Sequence, residues 1–293
     1  MKPKSVSYRF SSSTLALLCV ILLTVGAIPA HSQAKKLGSS MSPPLPLTVP
    51  APSSLSLGQA KAVDGDANTA STKPEDSCFL PPLMGVQAAT IVVSDLQIPP
   101  KVQKEYQDGC AAVKSGKMGA AENHLRKVVK DYEKYAAAWI LLGQVLEARQ
   151  KIEEARDACS RPLSTLSNYL PAYLCLTDIS ARLNHWDEVL KLSARALEID
   201  PTTNAAAYAY NATAAFNLHR LPEAEKSALR ASEINSNRSD PRLHYLLAQI
   251  YAAKGDLARA ATQLREYLKV ATDPEDAAVV KNYLAKLEGQ NEK

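Results

Sequence analysis

The residues of this 293-residue chain best suited to chemistry are five cysteines and five histidines, and neither set has the spacing that a reaction needs. Cys78, Cys110, Cys159 and Cys175 stand far apart, with no two-residue pairing of the kind that holds zinc. Cys19 lies inside an apolar run near the N-terminus. His31, His124, His185, His219 and His244 are scattered, and His185 and His219 read as equivalent turn positions one repeat apart. A metal shared by those two would need a carboxylate or Cys beside both, and the sequence places none. The chain has no phosphate-binding Gly loop, no Gly-x-Ser-x-Gly and no His-Glu-x-x-His. The expectation is a protein without catalytic residues, metal or cofactor, in which the thiols serve structure.

The elements that would position these side chains repeat. Gly109, Gly143, Thr177, Ala212 and Ala248 form a column of mostly small residues separated by 34, 34, 35 and 36 positions. Ala121, Ala155, Val189, Ala224 and Ala260 repeat the same four spacings twelve residues later. Two columns that shift together belong to one rigid unit, so the slips fall in loops between units, near 202–204 and 235–240. Small residues recur where two antiparallel helices cross closely, so each unit is a helix, a tight turn and a second helix.

Ala138-Trp139, Leu142-Gly143, Leu146, Ala155 and Cys159 in the second unit resemble the tetratricopeptide repeat, and so do Leu247-Ala248, Tyr251, Gly255-Asp256, Ala260 and Leu264 in the fifth. The resemblance implies an all-α fold: a right-handed α-solenoid of about five helical hairpins, over 102–135, 136–169, 170–204, 205–240 and 241–273. A capping helix follows over 274–288 and a tail over 289–293. Thr177 and Val189 depart from the small-residue columns and predict looser packing in the third repeat. Pro171, Pro222, Pro241 and Pro274 fit first-turn positions, with Asp240 and Asp273 as N-caps. Pro162 falls inside a second helix and predicts a kink or early stop. Ala277, Val280, Leu284 and Leu287 give the capping helix its apolar face.

Upstream, Lys2, Lys4 and Arg9 precede the apolar run from Leu15 to Ile28, and Ala30-His31-Ser32 offers small residues for cleavage before Gln33. This is the layout of a signal peptide over 1–32, and fourteen apolar-dominated residues are short for a membrane span. The mature chain is therefore expected to be exported, periplasmic or secreted, without a stable membrane anchor. Residues 33–77, rich in Ser, Pro, Ala and Gly, read as a disordered spacer, and 78–100 as a short extended segment docking on the array. The net charge of +4 falls to +1 once the three leader cations are gone. Alternating charges with no basic patch argue against nucleic acid and for solvated outer helix faces.

What the resemblance leaves for function is a groove lined by the first helix of each repeat. It assigns Gln103, Tyr106, Cys110, Ile140, Gln144, Leu174, Asp178, Ala209, Thr213, Arg242, Tyr245 and Gln249 to that lining, side chains that would point away from the hairpin core. The mixture of Tyr and aliphatic residues suits a peptide or protein with apolar anchors better than an acidic C-terminus. The expected function is a non-catalytic interaction scaffold of the cell envelope. The alternative is a structural oligomerisation or spacing module that makes its contact through 90–98, where Thr90-Ile91-Val92-Val93 is the clearest β-forming run. Repeat placement also brings two cysteine pairs near one another in an oxidising compartment. Cys159 and Cys175 lie on adjacent helices of repeats two and three, and Cys78 with Cys110 would staple the extended segment to the first helix. The competing reading makes Cys110, Cys159 and Cys175 free core thiols.

Overall fold

A computed structural model describes residues 78–80, 83, 97–235 and 240–291, all within one compact unit. The leader and spacer expected over 1–77, and the β-forming run at 90–93, lie outside the described residues. Eleven α-helices follow one another among the described residues. They are α1 (Pro100–Lys114), α2 (Met118–Asp131), α3 (Ala136–Ala148), α4 (Ile152–Ser160), α5 (Leu170–Arg182), α6 (Trp186–Ile199), α7 (Ala205–Asn217), α8 (Leu221–Ile234), α9 (Pro241–Ala253), α10 (Leu257–Val270) and α11 (Pro274–Asn291). Each odd helix from α1 to α9 packs against the even helix that follows it, and the odd helices α3, α5, α7 and α9 also touch in succession. The result is an α-solenoid of five hairpins with a closing helix.

Every hairpin closes the same way. Gly116, Gln150, Asn184, His219 and Gly255 take left-handed backbone conformations, with φ between 57° and 81°. Each lies seven residues after the first small-residue column. The next residue donates its amide back five positions, from Lys117 to Ala112, Lys151 to Leu146, His185 to Ser180, Arg220 to Ala215 and Asp256 to Tyr251, at 2.8–2.9 Å. This Schellman closure satisfies the last helical carbonyls and sets the next helix antiparallel. It also corrects the pairing of histidines: His219 occupies the turn position of Asn184, whereas His185 matches Arg220. The longer third-to-fourth spacing makes two histidines 34 residues apart non-equivalent.

The small columns sit at helix crossings. Ala121, Ala155, Ala224 and Ala260 are fully buried, and so are the larger Thr177 and Val189. Thr177 is accommodated because its hydroxyl donates to the Tyr173 carbonyl one turn back, 2.6 Å. At Gly143 a Cβ would collide with the sulfur of Cys159 and meet the Ala155 carbonyl oxygen at 3.2 Å. Pro162 acts as its backbone chemistry dictates: α4 stops at Ser160 and a 3-10 turn, Arg161–Ser164, replaces its last turn.

The loops between repeats are fastened by polar groups on the next helix. Trp139 Nε1 donates to the Glu133 carbonyl, Tyr173 Oη to Ser167 and Tyr208 Oη to Pro201, at 2.8–3.0 Å. Asn204 and Asp240 accept the Ala207 and Arg242 amides at 3.0 and 2.9 Å, and Asp273 accepts that of Glu275 at 2.9 Å, capping α7, α9 and α11. Along the outside, Glu122 gathers Arg126 from its own helix with Arg149 and Lys151 from the next hairpin. Burial alone would raise its pKa, but hydrogen bonds from Lys151 and Arg126 outweigh that and hold it at about 2. Arg156 with Glu188 and Glu225 with Arg259 are the same inter-repeat contact with the charges exchanged. α11 runs to Asn291, three residues beyond the expected end, and buries Val280, Tyr283 and Leu287.

Candidate functional site: an inner face with a segment of the chain seated on it

The inner face is the row of odd helices, and in the first repeats it is covered. Tyr106, Ile140, Gln144, Leu174 and Asp178 are each no more than 5% exposed, and Ala209 and Tyr245 are buried as well. Gln103, Cys110, Thr213, Arg242 and Gln249 are half-buried. Reading the sequence as an open groove therefore needs correcting at Tyr106, Ile140 and Tyr245. Tyr106 and Ile140 share an apolar cluster with Cys78, Phe79 and Leu83, and Tyr245 packs its ring against Tyr267 of α10, centroids 6.0 Å apart. A charge at any of the three would strike packed core.

What covers the first two repeats is the N-terminal segment. Phe79 and Leu83 are 3% and 0% exposed. Between them Leu80 makes a two-bond pairing with one side chain: its amide donates to Gln144 Oε1, 3.0 Å, and its carbonyl accepts from Gln144 Nε2, 2.8 Å. A primary amide aligned this way presents one donor and one acceptor, as a neighbouring β-strand would. It satisfies the backbone of an extended segment without reading its side chain. The Leu83 amide then turns back onto the Leu80 carbonyl at 3.0 Å.

Sulfur holds this segment at its start. Cys78 and Cys110 of α1 are joined, with Cα atoms 5.5 Å apart, and the Tyr106 hydroxyl lies 3.4 Å from the Cys78 sulfur. Cys159 of α4 and Cys175 of α5 form the second bond, Cα atoms 5.9 Å apart. Both separations fall in the range that a disulfide spans without moving the backbone. The two bonds differ in access. Cys159 and Cys175 are at most 1% exposed, whereas Cys110 is half-buried at the edge of the first helix.

Further along the inner face lies a charged cluster that the spacing of residues did not reveal. Asp178 of α5 accepts a hydrogen bond from the Tyr210 hydroxyl of α7, 2.5 Å, and faces Arg182 Nε at 3.4 Å. Glu147 of α3 pairs with the same guanidinium through charge rather than an aligned hydrogen bond. Burial, and secondarily the Asp178 carboxylate, push the Glu147 pKa up to about 8 against the pull of Arg182. Burial also drives the Tyr210 hydroxyl well above its ordinary range, with Asp178 adding to it. Asp178 was legible as an inner-face residue; Glu147, Arg182 and Tyr210 were not, because a charge one helical turn beyond Gln144 looks like an outer-face charge. Among the described residues no group of three or more His, Cys, Asp or Glu could hold a metal, and no helix is long and apolar enough to cross a membrane.

A tetratricopeptide-repeat family model matches residues 106–165 and 211–277. The chain is a tetratricopeptide-repeat protein. The stretch between the two matches contains the third repeat, where Thr177 and Val189 replace the small residues. Among solved structures, this tetratricopeptide-repeat protein is similar to TTC0263, a thermophilic protein of the same kind from Thermus thermophilus, with 18% identity and a TM-score of 0.50 over 64% of this chain and 98% of that one. It is also similar to MamA, residues 41 to the end, from Desulfovibrio magneticus RS-1, with 14% identity and a TM-score of 0.53 over 59% of this chain and 96% of the other. At such identities the likeness is one of fold. No curated protein sequence matches the chain.

Proposed function

We propose that this protein is a non-catalytic interaction scaffold of the cell envelope that takes an extended peptide or a protein segment along the inner face of its repeats. Tetratricopeptide arrays are interaction scaffolds in general, and one observation makes that specific here. Gln144 engages the backbone donor and acceptor of Leu80 together, so the inner face is already built to hold an extended chain. Phe79 and Leu83 on either side supply apolar anchors, the kind of contact that carries most binding energy. The envelope setting is supported by the leader layout before Gln33 and by two paired cysteine couples, which persist where thiols are oxidised. N-terminal sequencing of the protein from its native cell should begin at Gln33, and a chain retaining Met1 would place it elsewhere.

The inner face is tested by photo-crosslinkers placed in the native cell at Thr213 and Gln249, which line it, and at Lys226 and Lys269, which lie exposed on even helices. A partner should crosslink from the first pair and not from the second. Crosslinks confined to Lys226 and Lys269 would move recognition to the outer face.

A further inference from the structure

We propose that residues 78–83 are a built-in occupant of the peptide-binding face of repeats one and two, and that exchange of the Cys78–Cys110 disulfide with a dithiol opens that face to a competing extended segment. The inference deepens the scaffold reading and rests on it.

Three features of the seat argue for occupancy rather than mere core packing. The pairing to Gln144 uses only the Leu80 backbone, so it can be remade with any extended chain. The anchors Phe79 and Leu83 belong to a short run that enters the cluster beside Tyr106 and Ile140, inner-face residues that the repeat fold does not itself need to cover. The array is otherwise complete, since every hairpin carries its own Schellman closure and its own small-residue crossing. Removing the segment would leave an apolar strip with one aligned amide, which is what an extended ligand with aromatic and aliphatic anchors requires.

The disulfide decides whether the seat can be vacated. A ligand in trans competes with a segment whose effective concentration, for a short tether, is on the order of millimolar. With Cys78 bonded to Cys110 of α1, the segment is pinned within the seat itself. Reduction lengthens the tether to the whole of 84–99 and leaves only the noncovalent contacts. The chemistry is a dithiol exchange: one thiolate attacks the Cys110 sulfur, the S–S bond breaks and Cys78 departs with the electron pair. The reagent's second thiolate then attacks the mixed disulfide and releases Cys110, so the chain gains two electrons and two protons and the reagent leaves as its own disulfide. Half-buried Cys110 admits this attack, while Cys159 and Cys175, enclosed between α4 and α5, do not. One bond is thus a latch and the other a structural staple.

The test uses the full chain and a fluorescein-labelled peptide with the sequence of residues 75–86 carrying Cys78→Ser. Mild dithiothreitol should yield two alkylatable thiols, at Cys78 and Cys110, and tighten peptide binding by about tenfold or more over the oxidised protein, the factor by which the open fraction rises. The variant Cys78→Ser/Phe79→Ala/Leu83→Ala should bind at least as tightly without any reductant, provided its circular dichroism matches the parent. Adding Gln144→Ala should weaken peptide binding about tenfold or more, the loss expected for two hydrogen bonds of about 1 kcal/mol each. Equal affinity before and after the two thiols appear would overturn the latch. No binding by the folded triple variant would overturn occupancy itself, and crosslinks from Thr213 and Gln249 would show that the scaffold reading survives it.

Discussion

Substituting Glu147 by Gln should make the protein more stable at neutral pH, and the size of the gain follows from the burial of one carboxyl. Glu147 of α3 faces Asp178 and Arg182 of α5 and, beyond them, Tyr210 of α7. Its pKa is about 8 in the folded protein and near the ordinary 4.5 once unfolded. A carboxyl raised on folding binds a proton more tightly in the native state, so its contribution is favourable below about pH 4.5 and is lost progressively up to about pH 8. At about 1.4 kcal/mol per unit, the penalty at pH 7 approaches ~3 kcal/mol and levels near ~5 kcal/mol above pH 8. Gln keeps the shape of the neutral acid and has no charge to desolvate, while Arg182 retains Asp178 as its counter-ion. Urea unfolding followed by circular dichroism at pH 5, 6, 7 and 8 should show the parent losing stability along that series. Glu147→Gln should be nearly level and ahead by ~2–3 kcal/mol at pH 7. Histidines titrate in both proteins and cancel in the difference. Parallel pH profiles, or a variant weaker throughout, would refute the assignment of the shift to Glu147. Glu122 has the opposite sign: its low pKa stabilises the fold above about pH 4.5, and that contribution drains away as pH falls towards 2.

Three other substitutions probe the repeat geometry. Gly143→Ala should cost ~3 kcal/mol or more in thermal unfolding, because the new methyl collides with Cys159, whereas Gly109→Ala, 3.3 Å from a movable Leu125 side chain, should cost under about 1 kcal/mol. Combining Gly143→Ala with Cys159→Ala/Cys175→Ala removes the obstacle, so the glycine and cysteine changes should be strongly non-additive; simple additivity would reject the contact. Gln150→Gly and His219→Gly should each stabilise by roughly 0.5–1 kcal/mol, because both residues hold left-handed turn conformations that Gly takes freely. Deleting 274–293 uncovers what Val280, Tyr283 and Leu287 bury and should lower stability by about 4–6 kcal/mol or cause association. A monomer with unchanged melting would show that α11 does not close the array.

The two alanine-rich columns carried most of the fold, since a close helix crossing tolerates little else and so writes itself into the sequence at fixed intervals. Pro162 was equally legible, because the loss of a backbone donor inside a helix has one consequence. The turn column was harder to see. Gly116 and Gly255 mark it at the ends of the array, but Gln150, Asn184 and His219 hold the same left-handed conformation between them, and no side chain announces it. The expected capping prolines stand in the first turns of α5, α8, α9 and α11, where periodicity and local chemistry agree.

The inner face illustrates where repeat periodicity stops being informative. Register alone places Tyr106, Ile140 and Gln144 on one face, but burial depends on what else reaches that face, and a segment more than twenty residues upstream does so. Gln144 shows the difference in chemical terms. As a solvent-facing groove residue it would satisfy its amide with water, and any polar residue could replace it. Buried against Leu80, it must present one donor and one acceptor in the same plane, so Glu at this position would place a carboxylate oxygen against the Leu80 carbonyl with no hydrogen between them. Gln144→Glu should therefore loosen residues 78–83 above the pH at which that carboxyl ionises, and restore their seat when it is protonated. Amide hydrogen exchange at Leu80, faster in the variant than in the parent at pH 7 and convergent with it after correction for intrinsic rate at pH 4, is the measurement that decides the point. Equal protection at both pH values would mean that the segment is held by Cys78, Phe79 and Leu83 alone.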